Sequence, residues 1–202
     1  MVKLAIFDYG SGNLFSLKAV LERLGAEVEI IKQLENLETF DGLVLPGVGN
    51  FDPAIRSIKN YMKELDKAMK SGISMLGICL GMEMLFDRSE EGRLKGLGIL
   101  DGDVVMLPRN VKIPHMGWNN LKFVKESKLL EGLNDNAWVY FVHSYRTRPK
   151  NKSIIIANSE YGSEFPAVIE HKKNLFGTQF HPEKSGDIGA VMLKNFLQVC
   201  KK

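Results

Sequence analysis

Two cysteines, two tryptophans and no apolar run long enough to cross a bilayer distinguish this 202-residue chain. The cysteines, Cys79 and Cys200, are too few and too far apart for a disulfide framework, which favours a reducing, cytoplasmic setting. The longest apolar stretch, residues 73–86, is interrupted by Glu83 and falls short of a membrane span, so no membrane partner is expected. The first residues turn acidic at Asp8 and lack the shape of a secretory signal. A strong excess of one charge is missing as well. Lys and Arg number 27 against 24 Asp and Glu, and a net +3 spread along the chain argues against nucleic acid as a partner. Repeats, low-complexity tracts and Pro/Ser-rich linkers are absent, so residues 1–202 are expected to form a single domain.

What is present alternates between strand and helix. Residues 4–7 read as a buried strand, followed by the glycine-rich turn Asp8-Tyr9-Gly10-Ser11-Gly12-Asn13. Leu14, Leu17, Leu21 and Leu24 then recur at helical spacing, with Gly25 as the stop. Residues 28–31, 43–45 and 73–79 read as further strands, and 53–70 as helical. This alternation predicts a parallel α/β sheet. The second half holds short strand-like runs at 104–107, 121–124, 138–142, 154–157, 167–170 and 175–180, then a helix over 188–199. The expected fold is a three-layer α/β domain whose mostly parallel sheet is extended by antiparallel strands. His171, in Glu170-His171-Lys172-Lys173-Asn174, reads as a polar hairpin turn.

The most informative string is Gly77-Ile78-Cys79-Leu80-Gly81. An apolar strand leads into it and a helix-like segment, residues 82–86, leaves it. Strand, Gly-x-Cys-x-Gly and helix form the layout of a nucleophile elbow, with sulfur in place of oxygen. The helix N-terminus is expected to favour the thiolate. Taken alone, Cys79 reads equally well as a small buried hydrophobe.

A cysteine nucleophile needs a base, and the base needs an orienting partner. Of the four histidines, only His181 lies in Phe180-His181-Pro182-Glu183, directly after a predicted strand. In extended chain, residues i and i+2 project to one side, so His181 and Glu183 can face one site. The Leu80 N–H, just after the nucleophile, is a natural oxyanion donor. Pro46-Gly47-Val48-Gly49-Asn50 follows another strand and can bring backbone N–H groups to a ligand. It lacks Gly-x-Gly-x-x-Gly spacing, so dinucleotide binding is rejected; no cofactor and no metal is expected.

The elbow together with Phe180-His181-Pro182-Glu183 resembles the class I (triad) glutamine amidotransferases, a flavodoxin-like glutaminase fold. Five further strings narrow the resemblance: Asp8-Tyr9-Gly10-Ser11-Gly12-Asn13-Leu14, Pro46-Gly47-Val48-Gly49-Asn50-Phe51, Pro114-His115-Met116-Gly117-Trp118-Asn119, Tyr140-Phe141-Val142-His143-Ser144-Tyr145 and His181-Pro182-Glu183-Lys184-Ser185. They look like the glutaminase subunits of imidazole glycerol phosphate synthases, over essentially the whole chain. The resemblance implies glutamine hydrolysis through a Cys79 thioester, with His181 moving protons and Glu183 orienting it. It implies a (β/α)₈-barrel cyclase as heterodimer partner, supplied with ammonia for a histidine-biosynthesis step. It places glutamine on Gly47, Val48, Gly49, Leu80, Glu83, His143, Ser144 and Tyr145. Asn13, Met116, Trp118 and Asn119 become candidates for the partner interface, with Trp118 also readable as a core aromatic.

One residue departs from the family pattern, which has glutamine at the position of Glu83. Glutamate is near-isosteric but accepts only when ionised. A charged Glu83 would bind the substrate ammonium and repel its carboxylate and the Cys79 thiolate. Two alternatives follow: a paralogous glutaminase feeding another synthase, such as a sugar-modifying one, or a binding subunit impaired at Glu83.

Overall fold

The computed structural model describes residues 1–10 and 13–201; Ser11 and Gly12 of the expected glycine-rich turn, and Lys202, lie outside the described residues. The first half winds strand and helix in turn: β1 (Val2–Phe7), α1 (Leu14–Arg23), β2 (Ala26–Ile31), β3 (Gly42–Leu45), α2 (Phe51–Ile58), α3 (Met62–Lys70), β4 (Ser74–Ile78) and α4 (Leu80–Glu83). The second half adds β5 (Arg88–Ser89), β6 (Gly102–Met106), β7 (His115–Asn120), β8 (Lys122–Phe123), β9 (Trp138–His143), β10 (Tyr145–Pro149), β11 (Ile155–Glu160), β12 (Glu164–His171), β13 (Leu175–Thr178) and α5 (Gly186–Cys200).

The main sheet runs β2-β1-β3-β4-β13-β12-β11-β8. Its first five strands are parallel and its last three antiparallel. Strand alternation divides the core between two faces. Leu4 and Ile6 join Leu14, Leu17, Leu21, Leu193 and Phe196 on the α1/α5 side. Ala5 and Phe7 join Phe51, Ile55, Ile58 and Leu65 on the α2/α3 side. The expected three layers are therefore present. α1 starts where Asn13 accepts from the Ser16 N–H at 3.3 Å, and it stops at Gly25, whose φ of +91° suits glycine.

Three expectations need correction. The helix over 53–70 is split by a 3₁₀ turn, Lys59–Tyr61, where Asn60 is a poor helix former and Tyr61 turns edge-on to Phe7 at 6.1 Å. The segment after the elbow is helical only to Glu83. Beyond it, the Leu85 and Phe86 N–H groups turn to the Met82 and Glu83 carbonyls, three residues back, and N–H groups of Leu97, Gly98, Ile99 and Leu100 cap the carbonyls of Met84, Leu85 and Phe86. The runs at 104–107 and 138–142 form strands but do not extend the main sheet. β6 pairs with β10 and β5, and β9 pairs with β7, a Gly- and Asn-containing strand that apolar alternation does not reveal. The polar turn at His171 is present, with Lys172 and Lys173 both at positive φ between β12 and β13.

Candidate functional site

Cys79 and His181 are a hundred residues apart in sequence and neighbours in the sheet. Cys79 lies just past the end of β4 and His181 just beyond β13, which pairs with β4 in parallel, Ile78 against Thr178. Residues 46–50 leave β3, the neighbour on the other side of β4. All three segments emerge at the carboxyl end of one sheet, where α/β folds place ligands. A shallow cleft there is lined by Asn13, Pro46, Gly47, Val48, His181 and Glu183, among others.

The elbow is held in a costly backbone conformation. Cys79 has φ 51° and ψ −109°, a region non-glycine residues avoid at about 1–3 kcal/mol. The flanking glycines make it possible. A side chain on Gly81 would strike the Leu45 carbonyl of β3, and one on Gly77 would meet the Gly81 backbone at 2.7 Å. Gly47 is as confined: a Cβ there would lie 2.6 Å from Leu80 Cβ and 2.7 Å from the Gly81 nitrogen. The 46–50 segment is thus packed directly on the elbow. The Cys79 N–H donates to the Thr178 carbonyl at 2.7 Å, fixing this residue to β13.

His181 Nδ1 lies 2.8 Å from Glu183 Oε1. A carboxylate accepts, so the ring proton sits on Nδ1 and the Nε2 lone pair is bare. Nε2 is buried and has no hydrogen-bond partner among the described residues. The His181 backbone is anchored on both sides: its N–H donates to the Tyr140 carbonyl at 3.0 Å, and its carbonyl accepts from Ser185 Oγ at 2.7 Å.

Around the sulfur, Cys79 Sγ faces the Val142 carbonyl and the Gln179 amide, each at 3.8 Å. Burial pushes the thiol well above its ordinary value, and the Glu83 carboxyl adds to this; the Leu80 N–H and Gln179 pull the other way. The expected helix-favoured thiolate is therefore absent at rest. α4 is a single turn, and its N–H groups do not outweigh desolvation. Cys200, the second cysteine, is buried at the end of α5, and burial pushes it up to about 12.

Glu83 is buried, and burial raises its carboxyl to about 8 against the hydrogen bond from Gln179. It is a neutral acid at neutral pH, so the expected charge repulsion is not exerted. Its Oε1 accepts from Gln179 Nε2 at 2.8 Å rather than standing open to a ligand. Gln179, next to the thiol, is a residue the motif analysis passes over. Its i, i+2 relation to His181 in extended chain is the signal that finds it.

The remaining expected residues divide. Gly47 and Val48 line the cleft; Val48 and Gly49 are exposed, whereas Gly47 and Leu80 are buried. Ser144 and Tyr145 are half-buried, and the Ser144 carbonyl accepts from the Leu107 N–H. The His143 side chain is buried and bonded to His115 and to the Tyr145 carbonyl. On β7, Met116 and Trp118 are 63% and 52% exposed, so Trp118 is not a core aromatic. Trp138 on β9 widens this apolar face at 57% exposure, and Tyr140 meets Trp118 edge-on at 6.0 Å. Asn119 turns inward instead: its amide donates to the Glu160 carbonyl.

Residues 5–200 match the family model for glutamine amidotransferase class-I. The chain is 45% identical to the imidazole glycerol phosphate synthase subunit HisH of Methanocaldococcus jannaschii, over 97% of this chain and 99% of that protein. It is 46% identical to the HisH subunit of Caldanaerobacter subterraneus subsp. tengcongensis, over 98% of each. The fold matches a crystal structure of a glutamine amidotransferase from Thermotoga maritima with a TM-score of 0.76 at 14% identity, covering 100% of this chain and 99% of that one. With a cysteine and a histidine just past two neighbouring strands at one sheet end and this likeness over nearly the full length, the chain belongs to the class I glutamine amidotransferases, in the branch of imidazole glycerol phosphate synthase HisH subunits.

Proposed function

We propose that Cys79, His181 and Glu183 are the triad of this glutamine amidotransferase subunit, and that the 1–202 chain acts as one glutaminase domain. The bare, inward-facing Nε2 of His181, fixed by Glu183, is the observation that carries the assignment. Nε2 takes the thiol proton as Sγ attacks the side-chain amide carbon of glutamine. The oxyanion is received by backbone N–H groups, from Leu80 and from the 46–50 segment; one such donor contributes roughly 10²–10³ in rate. His181 returns the proton to the leaving nitrogen and ammonia departs, leaving a glutamyl thioester. Water, deprotonated by the same nitrogen, then releases glutamate and restores the thiol.

Gly47, Val48, Gly49, Leu80, His143, Ser144 and Tyr145 hold the substrate chiefly through backbone groups, with Glu83 behind the nucleophile. The ammonia passes to a (β/α)₈-barrel cyclase subunit that makes imidazole glycerol phosphate and aminoimidazole carboxamide ribotide. The exposed Met116 and Trp118, together with Asn13 and the backbone at Asn119, form the docking face for that barrel. A cytoplasmic setting fits; among the described residues, no helix is long and apolar enough to cross a membrane. The test is glutamate release by the chain mixed with the cyclase, wild type against Cys79→Ala. Abolition of release supports the triad, and equal release from both removes it.

A further inference from the structure

On the inner face of the β7–β9 ribbon, two buried histidines form a chain of hydrogen bonds that the glutaminase chemistry does not use. His115 stands opposite His143 in the antiparallel register. His115 Nδ1 lies 3.0 Å from His143 Nε2, and His143 Nδ1 lies 2.7 Å from the Tyr145 carbonyl. Asn119 Nδ2 lies 3.4 Å from His115 Nε2 and 2.9 Å from the Glu160 carbonyl. Carbonyls only accept, and this fixes every proton in the chain. His143 must carry hydrogen on Nδ1, so its neutral ring accepts at Nε2. His115 must then donate from Nδ1, leaving Nε2 to accept from Asn119. Asn119 cannot turn over, because its oxygen would face the Glu160 carbonyl.

The surroundings keep this order in place. The His115 ring is stacked between Tyr161 at 4.0 Å and Phe141 at 4.8 Å, so it cannot swing out. Phe165 packs against both histidines. Among the described residues, the titratable neighbours of His143 are His115 and His181, with no carboxylate to offset a charge there. Burial brings His115 down to about 4 and His143 to about 3, so both rings are neutral at neutral pH.

The end of β9 that these bonds hold lies against the reacting groups. Val142 offers its carbonyl to Cys79 Sγ, Tyr140 anchors the His181 N–H, and residues 143–145 turn into β10. We propose that His115 is a positioning residue, holding the glutamine-binding turn at residues 143–145 through a proton-ordered Asn119–His115–His143–Tyr145 relay. The proposal rests on the glutaminase reading for what the turn binds, and on geometry alone for the relay. It removes His143 as an acid or base, since both its ring nitrogens are committed.

Long-range ¹H–¹⁵N correlation on the full labelled chain reads the tautomers without any turnover. Both His115 and His143 are expected as Nδ1–H with bare Nε2; an Nε2–H form of either ring overturns the relay. Glutamine kinetics in the cyclase complex then test positioning. His115→Phe keeps the stacking and loses the donor, and its KM for glutamine should rise roughly tenfold, the usual cost of one buried hydrogen bond, with kcat less affected. His115→Asn keeps a donor near the Nδ1 position and should recover most of that loss. A wild-type KM in His115→Phe overturns positioning. Loss of all turnover in Cys79→Ala concerns only the triad, so failure of the two readings is told apart.

Discussion

Gln179 donates its side-chain amide to Glu83 at 2.8 Å, and the same nitrogen lies 3.8 Å from the Cys79 sulfur. One amide therefore links the Cys79 thiol to the residue that departs from the family pattern. Because Glu83 is a neutral acid in this environment, it can occupy the glutamine position without placing a charge beside the thiol.

Replacing Glu83 with glutamine is therefore expected to retain or raise glutaminase activity. The gain should be largest above about pH 8, where Glu83 ionises and disfavours the thiolate. Rates of Cys79 alkylation across pH provide the check. A severe activity loss in Glu83→Gln contradicts this reading of position 83.

The same substitution should change how stability depends on pH. The folded Glu83 titrates at about 8 against an ordinary 4.5, so the folded state holds a proton that the unfolded chain releases. Its contribution is complete below about pH 4.5 and is lost as pH rises through 8. Denaturant titrations should show the wild type losing on the order of a few kcal/mol across this window relative to Glu83→Gln. Parallel curves for the two proteins would count against a buried neutral acid.

The histidine pair acts in the opposite direction. Both folded values lie below the ordinary 6.5, so their contribution is present above about pH 6.5 and disappears as pH falls towards 3. His115→Phe should flatten this acid limb when unfolding is followed between pH 7 and 4. An acid limb of wild-type steepness would mean that the ring is charged in the folded protein.

Glu183→Gln should leave the fold intact and reduce kcat by roughly 10²–10⁴-fold, because the amide can donate to His181 Nδ1 and drive the proton onto Nε2. Steady-state kinetics beside a thermal melt separate the effects. A wild-type kcat would remove Glu183 from the triad.

Gly81→Ala is expected to destabilise by at least about 3 kcal/mol, since its methyl group would enter the space of the Leu45 carbonyl, backbone that cannot move aside. Gly10→Ala, with nothing within 4 Å and only a φ of +86° against it, should cost about 1 kcal/mol. Equal melting temperatures for the two variants would contradict the close packing of the elbow on β3.

The alternation of apolar strands with helical spacings made the parallel half of the sheet legible, because burial on two faces leaves a direct mark on residues such as Leu4, Phe7, Leu17 and Leu21. The elbow and the His181–Glu183 pair were legible for a similar reason: each is a local requirement of three to five residues. β7 was not, since Gly117, Trp118 and Asn119 form a strand only through pairing with β9. Nor was the end of α4, where the chain tightens to three-residue bonds and residues 97–100, distant in local pattern, cap the carbonyls of residues 84–86.

The sequence by itself determined the Gly-x-Cys-x-Gly elbow and the His-Pro-Glu string as candidates for chemistry, and that they would follow strands. The tertiary structure alone decided their states. Burial makes Glu83 neutral and holds the Cys79 thiol protonated at rest. The Tyr145 carbonyl in the adjoining turn and, through Asn119, the Glu160 carbonyl of β11 order the protons of His143 and His115, which meet only because β7 pairs with β9. Proton positions depend on desolvation and on partners far away in the chain, and neither quantity is written in local sequence.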